Sequence, residues 1–143
     1  MHALNVNFIG IVVAAVAAWL FGAIYYGALG KTWVGALGTS MEAMKAQNAG
    51  KSGAAKAAPF VLSFVAELLM AFVLWGIIFH VGIWSIRAGI ISGVVCWLGF
   101  VVTTVATNNA YPGRSYRLTT IDCGHWLGVL AIIGAILGGF GPR

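Results

Sequence analysis

Four long runs of apolar residues divide the chain, and shorter segments rich in polar or small residues separate them. The runs cover about residues 8–29, 59–81, 88–108 and 119–140. A helix needs about 20 mostly apolar residues to cross a bilayer, whereas membrane barrel strands are about half as long and alternate between apolar and polar positions. The pattern therefore predicts an all-α integral membrane protein, a four-helix bundle in which residues 1–143 form one transmembrane domain.

The segment between the first two runs, residues 30–57, is predicted to be a long cytoplasmic loop within this domain. Thr39 and Glu42 have the spacing of a helix capping box. The apolar side chains near them predict a short interfacial helix that rests on the membrane surface. Residues 49–57 are Ala, Gly, Ser and Lys, which is typical of a flexible linker. Pro59 is placed at the beginning of the second span, where a helix tolerates it.

The composition supports a membrane protein. Hydrophobic residues make up 61% of the chain and charged residues 8%, against roughly 25% charged residues in a soluble domain. So few charges do not cover a water-facing surface. Residues 1–7 contain no Lys or Arg, and the first run is longer than the apolar region of a signal peptide. The first span is therefore expected to be retained rather than cleaved.

The formal net charge is +5, but the charges lie in the loops and form no folded basic face, so nucleic acid is not expected as a partner. Arg87 and Arg143 fall on one side of the predicted bundle, and six basic residues fall on the other. Cytoplasmic loops carry an excess of Lys and Arg. The pattern predicts a multi-pass membrane protein with both termini outside and the two basic loops in the cytoplasm. The six cytoplasmic residues are Lys31, Lys45, Lys51, Lys56, Arg114 and Arg117.

Small residues recur every fourth position in three of the spans. This spacing lines one helix face and lets a neighbouring helix approach closely. The predicted partners are the lipid bilayer and other membrane protein subunits or a second copy of the chain. The packing positions are Gly10, Ala14, Ala18 and Gly22 in the first span, Gly89 and Gly93 in the third, and Gly124 and Gly128 in the fourth.

Glu67 is predicted to lie deep in the second span. It follows Pro59 by eight residues, which places it about 12 Å along the helix, near the bilayer midplane. A charge there costs about 2.5–3.5 kcal/mol, so Glu67 should be protonated or face the interior with a partner. Two interpretations stay open: a carboxyl that carries protons or binds a ligand, and a neutral carboxyl that holds the bundle together.

Asp122 and His125 are candidate site residues in the fourth span. Thr119 and Asp122 have capping spacing, an acid in a first turn complements the helix dipole, and pairing with Arg114 or Arg117 is an alternative. His125 is three residues from Asp122, where a hydrogen bond would fix its tautomer. It could ligate a metal or a tetrapyrrole, but one His and one Asp are too few for a metal site. A histidine satisfied inside the bundle is the simpler interpretation.

Three further residues are placed near Asp122 in the cytoplasmic half of the bundle. Tyr26 ends the first span, and Thr104 and Asn108 end the third. Threonine and asparagine in a membrane helix usually form hydrogen bonds to another helix, and we assign Thr104 and Asn108 that role. Together with His125 and the deeper Glu67, these residues form the candidate ligand or proton site.

The remaining histidine and the two cysteines do not indicate a catalytic reaction. His80 could be an axial ligand, but an interface residue is the simpler interpretation. Cys96 and Cys123 fit neither a zinc site nor a disulfide framework and are interpreted as small buried hydrophobic residues. The chain lacks a nucleophile elbow and a metalloprotease motif. The sequence thus predicts a non-enzymatic protein, without a metal and with no assigned cofactor.

Three blocks of residues carry a resemblance to a known family. Residues 25–33 read YYG followed by GKTW, residues 97–108 begin WLGF and include Thr103, Thr104 and Asn108, and residues 113–125 begin GRS and end D-x-x-H. Together they resemble the bacterial four-span membrane family catalogued as domain of unknown function seventeen-sixty-one. Tyr25 stands where that signature has Trp. The resemblance implies an integral bacterial membrane protein and no established activity. With the charge pattern, it predicts a protein of the inner membrane whose two termini are periplasmic.

Three hypotheses about function follow. The leading one is an accessory subunit or an oligomeric packing component of a membrane assembly, because close-packing faces are abundant and catalytic motifs are lacking. The alternative is a small proton-linked transporter or carrier that uses Glu67, with Asp122 and His125 near its cytoplasmic mouth. The third is pigment or haem binding through His125 or His80.

Overall fold

The computed structural model describes residues 6–142, and within them it contains helices and no strand. The helices are α1 (Phe8–Ala36), α2 (Met41–Ala49), α3 (Gly53–Val81), α4 (Ile86–Cys96), a π-helical segment (Trp97–Val102), α5 (Thr103–Ala110) and α6 (Tyr116–Phe140). Four helices are long and apolar enough to cross a membrane: α1, α3, the continuous Ile86–Ala110 and α6. The predicted all-helical, four-span architecture is confirmed. The predicted outer position of Arg143 and the charge pattern of residues 1–5 lie outside the described residues.

The first loop is much shorter than predicted, because both flanking helices extend into it. The first helix continues to Ala36, and α3 begins at Gly53. Ser52 caps α3, since its hydroxyl accepts the amide of Ala55 at 3.2 Å, and the alanines that follow have high helix propensity. The predicted flexible linker at residues 49–57 is therefore wrong. Pro59 lies inside α3 and not at its beginning.

The short helix predicted in the first loop is present as α2, but its cap differs by one residue. The Ser40 hydroxyl accepts the amide of Ala43 at 3.1 Å, so Ser40, not Thr39, caps the helix. Glu42 lies in the first turn, where a negative charge complements the helix dipole. The placement of α2 on the membrane surface stays a prediction.

The four long helices run alternately up and down, so the bundle has two distinct ends. We call the end that holds the α1–α3 connection and the α5–α6 turn the loop end, and the opposite one the terminal end. The fourth span, α6, contacts each of the other three spans and is the most buried of the four, while the third span is the least buried. Any group that α6 carries therefore lies at the centre of the bundle.

Glycine brings the third and fourth spans into backbone contact. A Cβ added to Gly89 would overlap the carbonyl oxygen of Gly134, and one added to Gly93 would overlap that of Leu130. Such positions admit no larger side chain unless a helix moves. Gly89 and Gly93 thus lie in the α4–α6 interface.

The first span packs on α6 and α3 through its small residues. Ala14 and Ala18 are fully buried, and Gly10 and Gly22 are buried with them. At the terminal end the Asn7 side chain bonds the amide of Gly10 at 2.9 Å and caps α1. All four small residues of the first span therefore face the bundle interior.

Candidate functional site

The centre of the candidate site is Asp122, on the second turn of α6. Two side chains of α1 donate to its Oδ1 oxygen: the Tyr26 hydroxyl at 2.9 Å and the Trp33 indole nitrogen at 3.1 Å. Tyr26 and Trp33 are seven residues apart, which is about two helical turns and returns to the same face. Hydrogen bonds to an ionised acceptor are stronger than neutral ones, so this pair stabilises a carboxylate near the loop end.

The residues on either side of Asp122 also accept hydrogen bonds from other helices. The Tyr25 hydroxyl donates to the carbonyl oxygen of Ile121 at 2.9 Å, and the Trp97 indole donates to that of Cys123 at 2.8 Å. Three consecutive residues of α6 are therefore held by aromatic donors from α1 and the third span. The arrangement joins three helices at one level of the bundle.

Two of these donors, Tyr25 and Trp97, depend on special features of the backbone: a glycine and a π-helical segment. Tyr25 lies against Gly124, where an added Cβ would be 2.6 Å from its hydroxyl oxygen, so the glycine makes room for the ring. Trp97 begins the π-helical segment. Such segments often occur at functional sites, because the extra residue per turn redirects side chains. The sequence suggested neither residue as a site residue.

His125 lies one turn deeper than Asp122 and is enclosed by aromatic rings. Its side chain is 5% exposed. The ring centroids of Tyr26 and Trp126 each lie 4.8 Å from the imidazole centroid, and that of Phe21 lies 6.2 Å away in a stacked orientation. An added Cβ on Gly22 would be 2.8 Å from His125 Nε2. Gly22 is thus the residue that leaves space for the imidazole edge.

The predicted hydrogen bond between Asp122 and His125 is absent. Trp33 and Tyr26 hold the carboxylate, and the Nδ1 atom of His125 is buried without a hydrogen-bond partner. The imidazole instead faces Gly22, eleven residues before Trp33 on α1. Both side chains therefore contact Tyr26 of the facing helix, but Asp122 also reaches Trp33, and His125 also reaches Gly22.

Asp122 is not a helix cap, contrary to one prediction. The fourth span begins at Tyr116, and Ser115 caps it by accepting the amide of Leu118 at 3.3 Å. The helix starts three residues earlier than the apolar run, because Ser115 supplies the cap. Within residues 6–142 Asp122 forms no ion pair with Arg114 or any other basic side chain, so both simple alternatives for this carboxylate are wrong.

The structure does not bring Thr104 or Asn108 to the site. Both side chains are exposed, and neither makes a hydrogen bond within the described chain. Thr103 and Thr107 donate to carbonyls of their own helix, at 2.8 Å to Gly99 and 2.7 Å to Thr103. Threonine often bonds the carbonyl four residues back, and this local bond competes with an interhelical one.

A different asparagine joins the third and fourth spans. The side-chain amide of Asn109 donates to the Thr119 hydroxyl at 3.0 Å. Asn109 directly follows the predicted Asn108. Consecutive residues point about 100° apart around a helix, so only Asn109 faces α6. The pattern of polar residues identified the right turn of the helix but not the right residue.

Glu67 is buried on α3 and lies outside the cluster around Asp122. It is 1% exposed, its Oε2 oxygen has no hydrogen-bond partner, and it shares a buried face of α3 with Ala71 and Leu74. No hydrogen bond links it to Asp122 or His125. The predicted set of site residues therefore separates into a polar cluster at the loop end and a solitary carboxyl in α3.

Gly124 and Gly128 are contacted by aromatic side chains of α1. A Cβ on Gly128 would overlap the ring of Phe21, just as one on Gly124 would crowd Tyr25. Both glycines thus lie in the α1–α6 interface and receive rings rather than a helix backbone.

The two described histidines lie in different surroundings. No group of three His, Cys, Asp or Glu side chains comes together in the part of the chain that the structure describes. His80 is exposed, and its Nδ1 is 2.7 Å from the carbonyl oxygen of Gly76. Aromatic side chains surround the imidazole of His125 on several sides. The buried imidazole of His125 therefore presents no open face to a planar tetrapyrrole, whereas the imidazole of His80 is exposed.

The comparisons with known proteins give one match. The search of curated proteins and the search of solved structures yield none. A family model described as "protein of unknown function (DUF1761)" matches residues 9–138 and so covers all four spans and the cluster around Asp122. The resemblance inferred from the three sequence blocks is confirmed: the chain belongs to the DUF1761 family.

Proposed function

We propose that this protein is a non-enzymatic component of a membrane assembly, and that it packs against a neighbouring membrane protein through its third span. The observation that carries the proposal is an exposed stripe on that span. Phe100, Thr104 and Asn108 lie four residues apart and are all exposed. The hydrocarbon core of a bilayer offers no hydrogen-bond partner to a threonine side chain, whereas a neighbouring helix does.

The depth of Thr104 strengthens this reasoning. The third span has 25 residues and is about 37 Å long, so it exceeds a hydrocarbon core of about 30 Å by a few ångström at each end. Thr104 precedes the end of the helix at Ala110 by six residues, about 9 Å. When the helix is centred in the bilayer, its hydroxyl lies inside the hydrocarbon region.

The backbone of the same span is open to close approach. No atom lies within 4 Å of the position that a Cβ on Gly99 would occupy. Small residues at helix surfaces let two backbones come close. A neighbouring helix could therefore approach closely at Gly99 and form hydrogen bonds with Thr104 and Asn108 on the same part of the third span.

The cluster around Asp122 fits a structural role. Three consecutive residues of α6 accept hydrogen bonds from Tyr25, Tyr26, Trp33 and Trp97, and each of these bonds joins two helices. A catalytic or transport site usually leaves polar groups facing a cavity. This cluster instead stabilises the central helix at the loop end.

Photo-crosslinking in native membranes tests the proposed interface. A benzophenone amino acid replaces Phe100 on the third span, and a matched variant carries it at Phe72 on α3, which is also exposed. We expect a covalent protein adduct at position 100 and none at position 72. An adduct of twice the chain mass identifies a second copy, and another mass identifies a different subunit. Crosslinking to lipid alone at both positions overturns the proposal.

A proton-linked carrier is the second candidate, because the Oε2 oxygen of Glu67 is buried without a partner. A buried, unpaired carboxyl in a membrane span is a recurrent element of proton relays. The test is proton flux in liposomes that contain the wild type or the Glu67→Gln variant. Flux in the wild type that is lost in the variant supports the carrier. If the wild type shows no proton flux, or if the two proteins show equal flux, the carrier hypothesis is excluded.

We further propose a bacterial inner-membrane location with the loop end in the cytoplasm. Six basic residues at that end, against Arg87 at the other, support this orientation. Tyr111 and Ile83 are exposed in turns at opposite ends of the bundle. In a background with Cys96 and Cys123 replaced by Ala, a membrane-impermeant thiol reagent should label Ile83→Cys in intact spheroplasts and Tyr111→Cys only in inverted vesicles. The reverse pattern contradicts the orientation.

A further inference from the structure

A cleft of about 810 Å³ opens at the loop end, between the last turn of α1 and the α5–α6 turn. One wall is formed by residues 35–38, and the other by residues 112–115 with Arg117 and Leu118. A hydrogen bond of 2.9 Å from the Ser115 hydroxyl to the carbonyl oxygen of Ala36 joins the two walls. The cleft is therefore a fixed product of helix packing.

Two arginines line this cleft without a counter-ion. Arg114 and Arg117 are exposed, and no ion pair is found among residues 6–142. The chain has only three acidic residues. Glu42 lies on α2, Glu67 is buried in α3, and Asp122 is bonded by two side chains of α1. The protein thus supplies two positive charges to the cleft and no negative charge to balance them.

The cleft lies beside the ends of two apolar spans, the level at which lipid headgroups surround a membrane helix. Tyr111 and Tyr116, which flank it along the chain, are 88% and 91% exposed. Tyrosine side chains at the ends of membrane helices prefer the interface, where the ring and the hydroxyl meet different surroundings. The fourth helix that is long and apolar enough to cross a membrane begins at Tyr116. The two guanidinium groups therefore stand where lipid phosphates are found.

We propose that this cleft binds the phosphate headgroup of an anionic phospholipid, held by Arg114 and Arg117. The planar fork of a guanidinium matches phosphate oxygens in a bidentate geometry. Basic pockets at the cytoplasmic end of membrane helices suit anionic headgroups. A lipid is favoured over free phosphate because its acyl chains anchor it at the level of the tyrosines. Four lysines at the same end attract anionic lipid diffusely, and the cleft adds a localised site.

Native mass spectrometry of the purified full-length chain tests the proposal. The protein is titrated with phosphatidylglycerol and, separately, with phosphatidylcholine. The variants are Arg114→Gln with Arg117→Gln, and a matched control, Lys31→Gln with Lys51→Gln, which removes the same charge at the same end outside the cleft. We expect the arginine pair to lose about 100-fold in affinity for phosphatidylglycerol, since a hydrogen bond to a charged group contributes about tenfold per arginine, and the lysine pair, which attracts the lipid only diffusely, to lose much less.

Several outcomes overturn the proposal. Equal losses in the two double variants would show diffuse attraction without a localised site, and no loss in the arginine pair would exclude these residues. Displacement of the lipid by a modest excess of inorganic phosphate would assign the cleft to free phosphate. If the variant with Arg114→Gln and Arg117→Gln has a lower thermal midpoint than the wild type, the variant with Arg114→Lys and Arg117→Lys is used instead. That pair keeps both charges without the forks and should bind more weakly than the wild type, and equal binding would contradict the forked contact.

Discussion

Tyr26 donates its hydroxyl to Oδ1 of Asp122 at 2.9 Å, and this bond joins the first span to the beginning of the fourth. Trp33 reaches the same oxygen at 3.1 Å from two turns further along α1. A carboxylate at this depth is expensive to bury without donors. The two aromatic donors therefore explain how Asp122 is accommodated between helices.

Removal of either donor should destabilise the bundle. We expect Tyr26→Phe and Trp33→Phe each to cost about 0.6–1.7 kcal/mol, the range for hydrogen bonds between membrane helices. Unfolding in mixed detergent micelles with increasing sodium dodecyl sulfate measures this. The control is Tyr116→Phe, whose ring is 91% exposed. In an Asp122→Asn background the cost of Tyr26→Phe should shrink. A Tyr26→Phe stability equal to that of Tyr116→Phe would contradict the assignment.

The fit between Gly22 and His125 should appear as energetic coupling. The Gly22→Ala substitution places a methyl group 2.8 Å from His125 Nε2, and overpacking of this kind costs about 1–3 kcal/mol. The His125→Ala substitution removes the obstacle, so Gly22→Ala should cost less in that background. A double-mutant cycle of unfolding free energies measures the difference. Additive effects would mean that the two residues do not meet.

Glycines of the third span should differ sharply in their tolerance of alanine. A Cβ on Gly89 overlaps the backbone of Gly134, while one on Gly99 has no atom within 4 Å. We expect Gly89→Ala to destabilise the protein by about 1–3 kcal/mol or to prevent folding, and Gly99→Ala to leave the thermal midpoint unchanged. Thermal denaturation in detergent compares them. If both behave alike, the α4–α6 contact is not as close as the structure shows.

Ser115 should matter more than an ordinary helix cap, because it also ties two helices together. Its hydroxyl caps α6 and donates to the carbonyl oxygen of Ala36 at 2.9 Å. Replacement of a capping serine by alanine costs about 1 kcal/mol, and loss of the second bond adds to that. Ser40→Ala, which affects only the cap of α2, is the control. The loss of stability in Ser115→Ala should exceed that in Ser40→Ala, and an equal or smaller loss would refute the double role.

The sequence by itself determined the fold class. Four apolar runs of sufficient length leave the backbone no alternative in lipid but helix or closed barrel, and their continuous composition favours helix. The spacing of small residues likewise follows from the helical period, so the faces that hold Ala14, Ala18 and Gly89 could be recognised without a structure. The helix ends were less well predicted, since Ser52 and Ser115 start helices before the apolar runs begin.

Only the tertiary structure decided which polar groups meet. A helical period specifies the face of each helix but not its rotation against a neighbour, and one residue of rotation separates Asn109, which bonds Thr119, from Asn108, which faces outward. The partners of Asp122 and the space that Gly22 leaves for His125 arise from residues about 90–100 positions apart in the chain. Their proximity depends on how close two backbones come, a distance set by the packing of every side chain between them.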